Sequence, residues 1–144
     1  MAAMPHGMVI GDVSKRCGVK VATIRYYESI GLLPVPPRTG GNRRAYGTAD
    51  VQRLAFIRHA RELGFDIDAI RQLLALAGLP EQPCEGADAI ARAHLSDVED
   101  RIARLVALRG ELKAMVEQGT HGRIRECRVI EILADHRKCQ SQTH

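Results

Sequence analysis

An arginine and two tyrosines stand side by side in Thr23-Ile24-Arg25-Tyr26-Tyr27-Glu28, and a second basic group, Arg38, Arg43 and Arg44, follows shortly after. Two of the chain's three tyrosines fall in this short stretch. Arginine and tyrosine on one helix can reach the base edges and phosphates of DNA. A helix-turn-helix places its second helix in the major groove, where such side chains read sequence. The other chemistry-bearing side chains are four cysteines, Cys17, Cys84, Cys127 and Cys139, with His121 and His136 near the last two. In a cytoplasmic chain these thiols are core residues, metal ligands or redox sensors rather than a disulfide framework. Catalysis has no such foothold. There is no Gly-rich phosphate loop after a strand, no HExxH and no nucleophile with an evident base, so no enzyme and no catalytic residue is expected.

Composition agrees with a DNA partner. The chain has 144 residues, a net charge of +4 and 45% hydrophobic residues, but only 3% aromatics and no Trp. A core of Leu, Ile, Val and Ala points to helices. The sequence pI of about 9.1 suits a footprint on phosphate better than membrane binding. Arg53, Arg58 and Arg61 extend the basic region beyond the loop. The opening MAAMPHGMVI has no basic segment followed by a long apolar run, and no apolar stretch approaches the ~20 residues of a membrane span. A cytoplasmic protein is expected, with no membrane partner.

The elements that must position these residues follow from local signals. Ile10–Arg16 reads as a first helix ended by Gly18, and Ala22–Ile30 as a second ended by Gly31. Pro34, Pro36 and Pro37 exclude helix next. Arg38–Tyr46, with Gly40-Gly41-Asn42 at its centre, predicts a β-hairpin wing. A third helix is expected with Thr48 as N-cap and Val51, Leu54, Ala55, Ile57 and Leu63 as its apolar face. Gly64 breaks it, and Asp66 caps a fourth helix carrying Ile67, Ile70, Leu73, Leu74 and Leu76.

Beyond a linker at 78–83, residues 84–118 predict one long helix. Ala91, Leu95, Val98, Ile102 and Leu105 are spaced four, three, four and three, as in a coiled-coil seam. The pattern then slips in phase to Leu108, Leu112 and Met115. Such a stripe needs a partner, and a second copy of the chain is the simplest one. Residues 119–144 follow as a loop, a short helix from Cys127 to Asp135 with Val129, Ile130 and Leu133 on one face, and a polar tail.

TIRYYESIGLLP, the wing residues Arg38, Gly41, Arg43 or Arg44 and Tyr46, and Val51-x-x-Leu-x-x-Ile57 together resemble the MerR family of bacterial transcription regulators. The resemblance runs over nearly the whole chain. It implies a mainly α fold: an N-terminal winged helix-turn-helix domain at 8–77 and a dimerisation helix at 84–118 that forms an antiparallel coiled coil. It implies a homodimer on double-stranded promoter DNA that distorts an overlong spacer so that RNA polymerase can initiate. By position, Thr23, Arg25, Tyr26 and Tyr27 would meet DNA from the second helix. Arg38, Arg43, Arg44 and Tyr46 would do so from the wing, and Arg58 and Arg61 from a second wing; the alternatives are that Tyr27 packs against the wing and that Tyr46 is a core residue.

Metal-sensing members of that family bind their effector at the end of the dimer helix. Cys84 matches the position that accompanies divalent ions, and Cys127 matches the downstream loop cysteine. Position 119, where copper-type relatives carry a loop cysteine, is Gly119 here. The resemblance therefore implies Cys84 of one protomer with Cys127, Cys139 and His121 or His136 of the other. That donor set suits divalent zinc, cadmium, lead or mercury as effector. Two alternatives stay open: an oxidant or electrophile sensor acting through Cys127, and an architectural DNA-binding protein with no effector.

Overall fold

The computed structural model describes residues 7–38, 45–118, 122–135 and 137. It is mainly helical, with six α-helices among the described residues: α1 Ile10–Cys17, α2 Val21–Ser29, α3 Thr48–Glu62, α4 Ile67–Ala77, α5 Glu85–Glu117 and α6 Arg128–Ala134. The chain divides into two compact units, Met1–Ile90 and Ala91–His144.

The first unit is built around α3, which packs against α1 and α4, while α1 also packs against α2. α1 has Asp12 in its first turn and Lys15 and Arg16 in its last, the arrangement that the helix dipole favours. It stops at Gly18, whose φ of 70° is left-handed and whose N–H donates to the Ser14 carbonyl. Gly31, at φ 74°, reverses the chain after α2 in the same way. There the Leu32 and Leu33 N–H groups both donate to the Tyr27 carbonyl. The prolines then hold residues 34–37 out of helix.

The expected wing is only partly visible. Its flanks come together: the Ala45 N–H donates to the Pro37 carbonyl at 2.9 Å, and Met8 and Tyr46 exchange two antiparallel backbone hydrogen bonds. Its tip, with Gly40, Gly41, Asn42, Arg43 and Arg44, lies outside the described residues.

α3 begins one residue earlier than expected. Gly47 is its N-cap and Thr48 its first helical residue, because the Asp50 carboxylate reaches back to accept the Gly47 N–H at 2.8 Å. Its buried face is Leu54, Ile57 and Ala60, with Val51 half-buried. The expected Ala55 and Leu63 are exposed, because the face against α1 and α4 advances in steps of three. Asp66 caps α4 as expected, accepting the Ala69 N–H at 2.7 Å. Met8, Val13, Ile24, Tyr27, Leu32, Leu33, Tyr46, Leu54, Ile57, Ile70 and Leu74 make one continuous core.

In the second unit α5 runs on without a break. Its apolar stripe, Leu95, Ile102, Leu105, Leu108 and Leu112, is exposed in the single chain, and so is Val116. Leu105, Leu108, Leu112 and Val116 line a shallow groove of about 520 Å³ with Arg109, Lys113 and Glu117. Met115, expected on that seam, is instead buried, as are Glu111 and Ile132. These three are the buried side chains of the unit among the described residues. A 3-10 turn, Ile124–Glu126, leads into α6. Val129 is half-buried as expected, but Ile130 and Leu133 face solvent, Leu133 at 72% exposure. Apolar residues cover most of this seven-residue helix, so periodicity alone does not select its inner face.

Candidate nucleic-acid interface and thiol positions

α2 has two unlike faces. Ile24, Tyr27 and Glu28 point into the core, and Leu32 and Leu33 join them just after the helix. Arg25 and Tyr26 point out, Tyr26 at 55% exposure, with Thr23 half-buried at the edge. The rings of Tyr26 and Tyr27 lie 6.0 Å apart and tilted by 47°, so the outward ring leans on the buried one. The Ser29 hydroxyl donates to the Tyr26 carbonyl at 2.6 Å. The result is a helix that offers one cation and one aromatic hydroxyl to solvent.

For two candidate contact residues the structure shows the packing alternative. Tyr46 is completely enclosed, and its hydroxyl donates to Glu28 Oε1 at 3.0 Å. Tyr27 is likewise buried. Both are core residues, since aromatic rings of this size fill the space between α2 and the base of the wing. Arg38 is exposed where the chain enters the wing. Arg43 and Arg44 lie outside the described residues.

The basic residues of α3 and α4 are engaged with backbone. Arg58 Nη1 donates to the Cys17 carbonyl at 3.1 Å, and its Nε meets Glu62 Oε1 at 3.0 Å. Arg53 Nε donates to the Leu32 carbonyl at 2.8 Å, and Arg71 Nη2 donates to that of Ile30 at 2.9 Å. Arg61 Nη1 donates to the Phe65 carbonyl at 3.1 Å while remaining exposed. Sequence reasoning had no role for Arg53 or Arg71, and missed Glu28 as a buried acceptor. Glu28 carried one readable signal: it sits one turn after Ile24 on the apolar face of α2.

The thiols occupy different settings. Cys17 is in the first unit's core. Cys84 is exposed, and its carbonyl accepts the Asp88 N–H, the first hydrogen bond of α5. Cys127 is half-buried at the start of α6, and its carbonyl accepts the Glu131 N–H at 3.0 Å. None of these three is in a disulfide. His121, His136 and Cys139 lie outside the described residues. Among the described residues, no group of three or more His, Cys, Asp or Glu side chains is gathered to hold a metal ion. Cys84 and Cys127 are soft donors, which fits a soft or borderline ion, but they need further donors to close a site. No helix among the described residues is long and apolar enough to cross a membrane.

Residues 8–77 match the family model described as MerR HTH family regulatory protein, and residues 51–115 match that described as MerR, DNA binding. The chain is 39% identical over 129 residues to heavy metal-dependent transcription regulator 2 of Rhizobium meliloti, covering 89% of this chain and 87% of the relative. It is 39% identical over 127 residues to the HTH-type transcriptional regulator ZntR of Escherichia coli K12, covering 86% and 90%. Among solved structures it is similar to the transcription regulator PbrR691 from Ralstonia metallidurans CH34 in complex with lead(II). The TM-score is 0.78 at 40% identity, over 88% of this chain and 98% of that one.

Proposed function

Because the chain belongs to the MerR family of helix-turn-helix transcription regulators, we propose that it works as a homodimer on promoter DNA and answers to a divalent soft or borderline metal ion. The division of α2 into a buried and an exposed face carries the DNA reading. Arg25 and Tyr26 enter the major groove, Thr23 stands at the helix edge, and Arg38, Arg43 and Arg44 hold the wing to phosphate. The dimer bends and untwists an overlong promoter spacer, and RNA polymerase then initiates. The protein acts on the deformation energy of DNA, with no chemical step of its own.

The uncovered stripe of α5 supports self-association. A parallel coiled coil would set the two DNA-binding domains at one end; an antiparallel one spaces them for two half-sites. The effector proposal rests on the two accessible thiols and on relatives named for heavy-metal dependence or solved with lead(II). Cys84 of one protomer and Cys127 of the other supply thiolates, and Cys139, His121 and His136 are the candidates that complete the set. The ion, whether zinc, cadmium, lead or mercury, would cross-link the start of one α5 to the C-terminal segment of its partner. All of this is cytoplasmic work.

Metal content after dialysis tests the effector. The reduced dimer is loaded with zinc, cadmium, lead, mercury, cobalt or copper(I), beside Cys84→Ser and Cys127→Ser variants. One divalent ion retained at about one or two per dimer, and lost in both variants, supports the site. Retention that ignores both cysteines, or no retention at all, refutes it and turns attention to oxidation of Cys127.

A further inference from the structure

We infer that Arg53, Arg58 and Arg71 are positioning residues that clamp α2 at both ends, and that Arg58 acts on DNA through this clamp rather than by touching phosphate. The inference rests on the DNA-binding role proposed for α2.

The geometry is the same three times. Each arginine belongs to α3 or α4, and each donates to a backbone carbonyl: two of these carbonyls, Cys17 and Ile30, stand at helix ends, and the third, Leu32, lies just past the Gly31 turn. Arg58 takes the Cys17 carbonyl, the last of α1, just before the turn that launches α2. Arg71 takes the Ile30 carbonyl and Arg53 that of Leu32, both where the chain leaves α2. Carbonyls at helix ends have no partner within their own helix and carry the negative pole of its dipole, so a guanidinium is the favoured ligand there.

One turn glycine makes room for its contact. A Cβ at Gly18 would lie 2.0 Å from Arg58 Nη1, whereas one at Gly31 would meet Arg71 Nη1 only at ordinary contact distance, 3.7 Å. At position 18 glycine therefore serves twice: it adopts the left-handed backbone, and it leaves the approach that Arg58 uses. Arg58 is further held by Glu62 on its Nε. Nη1 and Nε are thus both directed at the protein, although the side chain is still 51% exposed. The outward face of α2, with Arg25 and Tyr26, is thereby set at a fixed tilt.

A clamp and a phosphate contact differ in what they do to binding. Neutralising a phosphate contact flattens the salt dependence and weakens all DNA alike. Loosening a clamp leaves the salt dependence intact and costs base reading. The test uses the full dimer, a duplex enriched by the wild-type protein from a randomised pool, and a scrambled duplex of the same composition. Arg58→Met and Arg71→Met are each titrated by fluorescence anisotropy across a salt series, at a temperature where circular dichroism shows every variant folded. Amide exchange over residues 14–18 and 28–33 is followed on the free dimer.

The clamp predicts a roughly tenfold loss for the enriched duplex, the scale of one base contact. It also predicts an unchanged salt slope, nearly unchanged binding of the scrambled duplex, and faster exchange at the helix end that lost its arginine. A slope lowered by about two for the dimer, with both duplexes weakened alike, overturns the clamp and makes Arg58 a phosphate contact. Unchanged exchange and unchanged discrimination in both variants also overturn it. If the wild-type chain enriches no duplex, the regulatory reading itself falls, and the clamp with it.

Discussion

Removing one oxygen at Tyr46 separates two readings of that residue. Tyr46→Phe keeps the ring and its packing, so no cavity opens in the core. The oxygen donates to the buried Glu28 carboxylate at 3.0 Å. A hydrogen bond to a charged group contributes about 1.5–3 kcal/mol, and a buried acceptor that loses a donor sits at the upper side of that range. A cost of about 2 kcal/mol should lower the unfolding midpoint by roughly 10 °C in a unit of this size. Thermal unfolding followed by circular dichroism, at one fixed protomer concentration, measures it. Glu28→Gln in the same background should cost less than the sum of the single changes, by about 0.5–3 kcal/mol of coupling. DNA binding at a temperature where the variant is folded should keep the wild-type salt slope. A midpoint moved by less than about 2 °C together with a lower salt slope would refute the argument. It would put the hydroxyl on phosphate, one of the two places sequence reasoning had left open.

Other expectations are equally direct. Gly18→Ala should destabilise by more than about 1 kcal/mol, because it combines a left-handed backbone with a collision at Arg58; denaturant unfolding reads this out. Ile132→Ala should cost about 2–5 kcal/mol of local stability in the second unit, while Leu133→Gln, at an exposed site, should stay within about 0.5 kcal/mol by the same measurement. Leu105→Glu with Leu112→Glu should shift sedimentation from dimer to monomer, and an unchanged dimer would reject α5 as the interface. Arg25→Ala should weaken binding to an enriched duplex by about 1–3 kcal/mol and relax discrimination at the base it reads, followed by anisotropy against single-base variants.

Local signals wrote most of the fold into the chain. Gly18, Gly31 and Gly64 all take positive φ where the sequence placed helix ends, and Asp66 caps α4 as its type and position predict. α5 runs almost from the first to the last residue that an absence of proline suggested. Misreadings arose where tertiary contact, rather than local chemistry, decides. Thr48 has the better capping side chain, yet Asp50 three residues on lets Gly47 take the cap. Val129, Ile130, Ile132 and Leu133 are all apolar, and only the docking of α6 selects Ile132.

The candidate site divides along the same line. Arg25 and Tyr26 were legible because a helix-turn-helix motif fixes which way they face. Tyr46 stayed open between wing contact and core, since a tyrosine carries both a core body and a polar tip. Arg58 was placed on DNA by its position in the family resemblance; its carbonyl partner on α1 is distant in sequence and was not visible there.

The uncovered stripe of α5 has a consequence for the chain's life in a cell. Only three described side chains are buried in the second unit, and a helix of 33 residues receives little support from them. Isolated helices are marginal in water, so the self-association proposed for α5 would supply much of the order in this half. Its folded fraction then follows protomer concentration by mass action. A regulator made in few copies would, whenever its partner leaves, expose a greasy, cleavable rod to proteases. If α5 pairs with a second copy as proposed, abundance and architecture would be one variable: the fewer the copies, the larger the fraction of subunits left with this stripe uncovered.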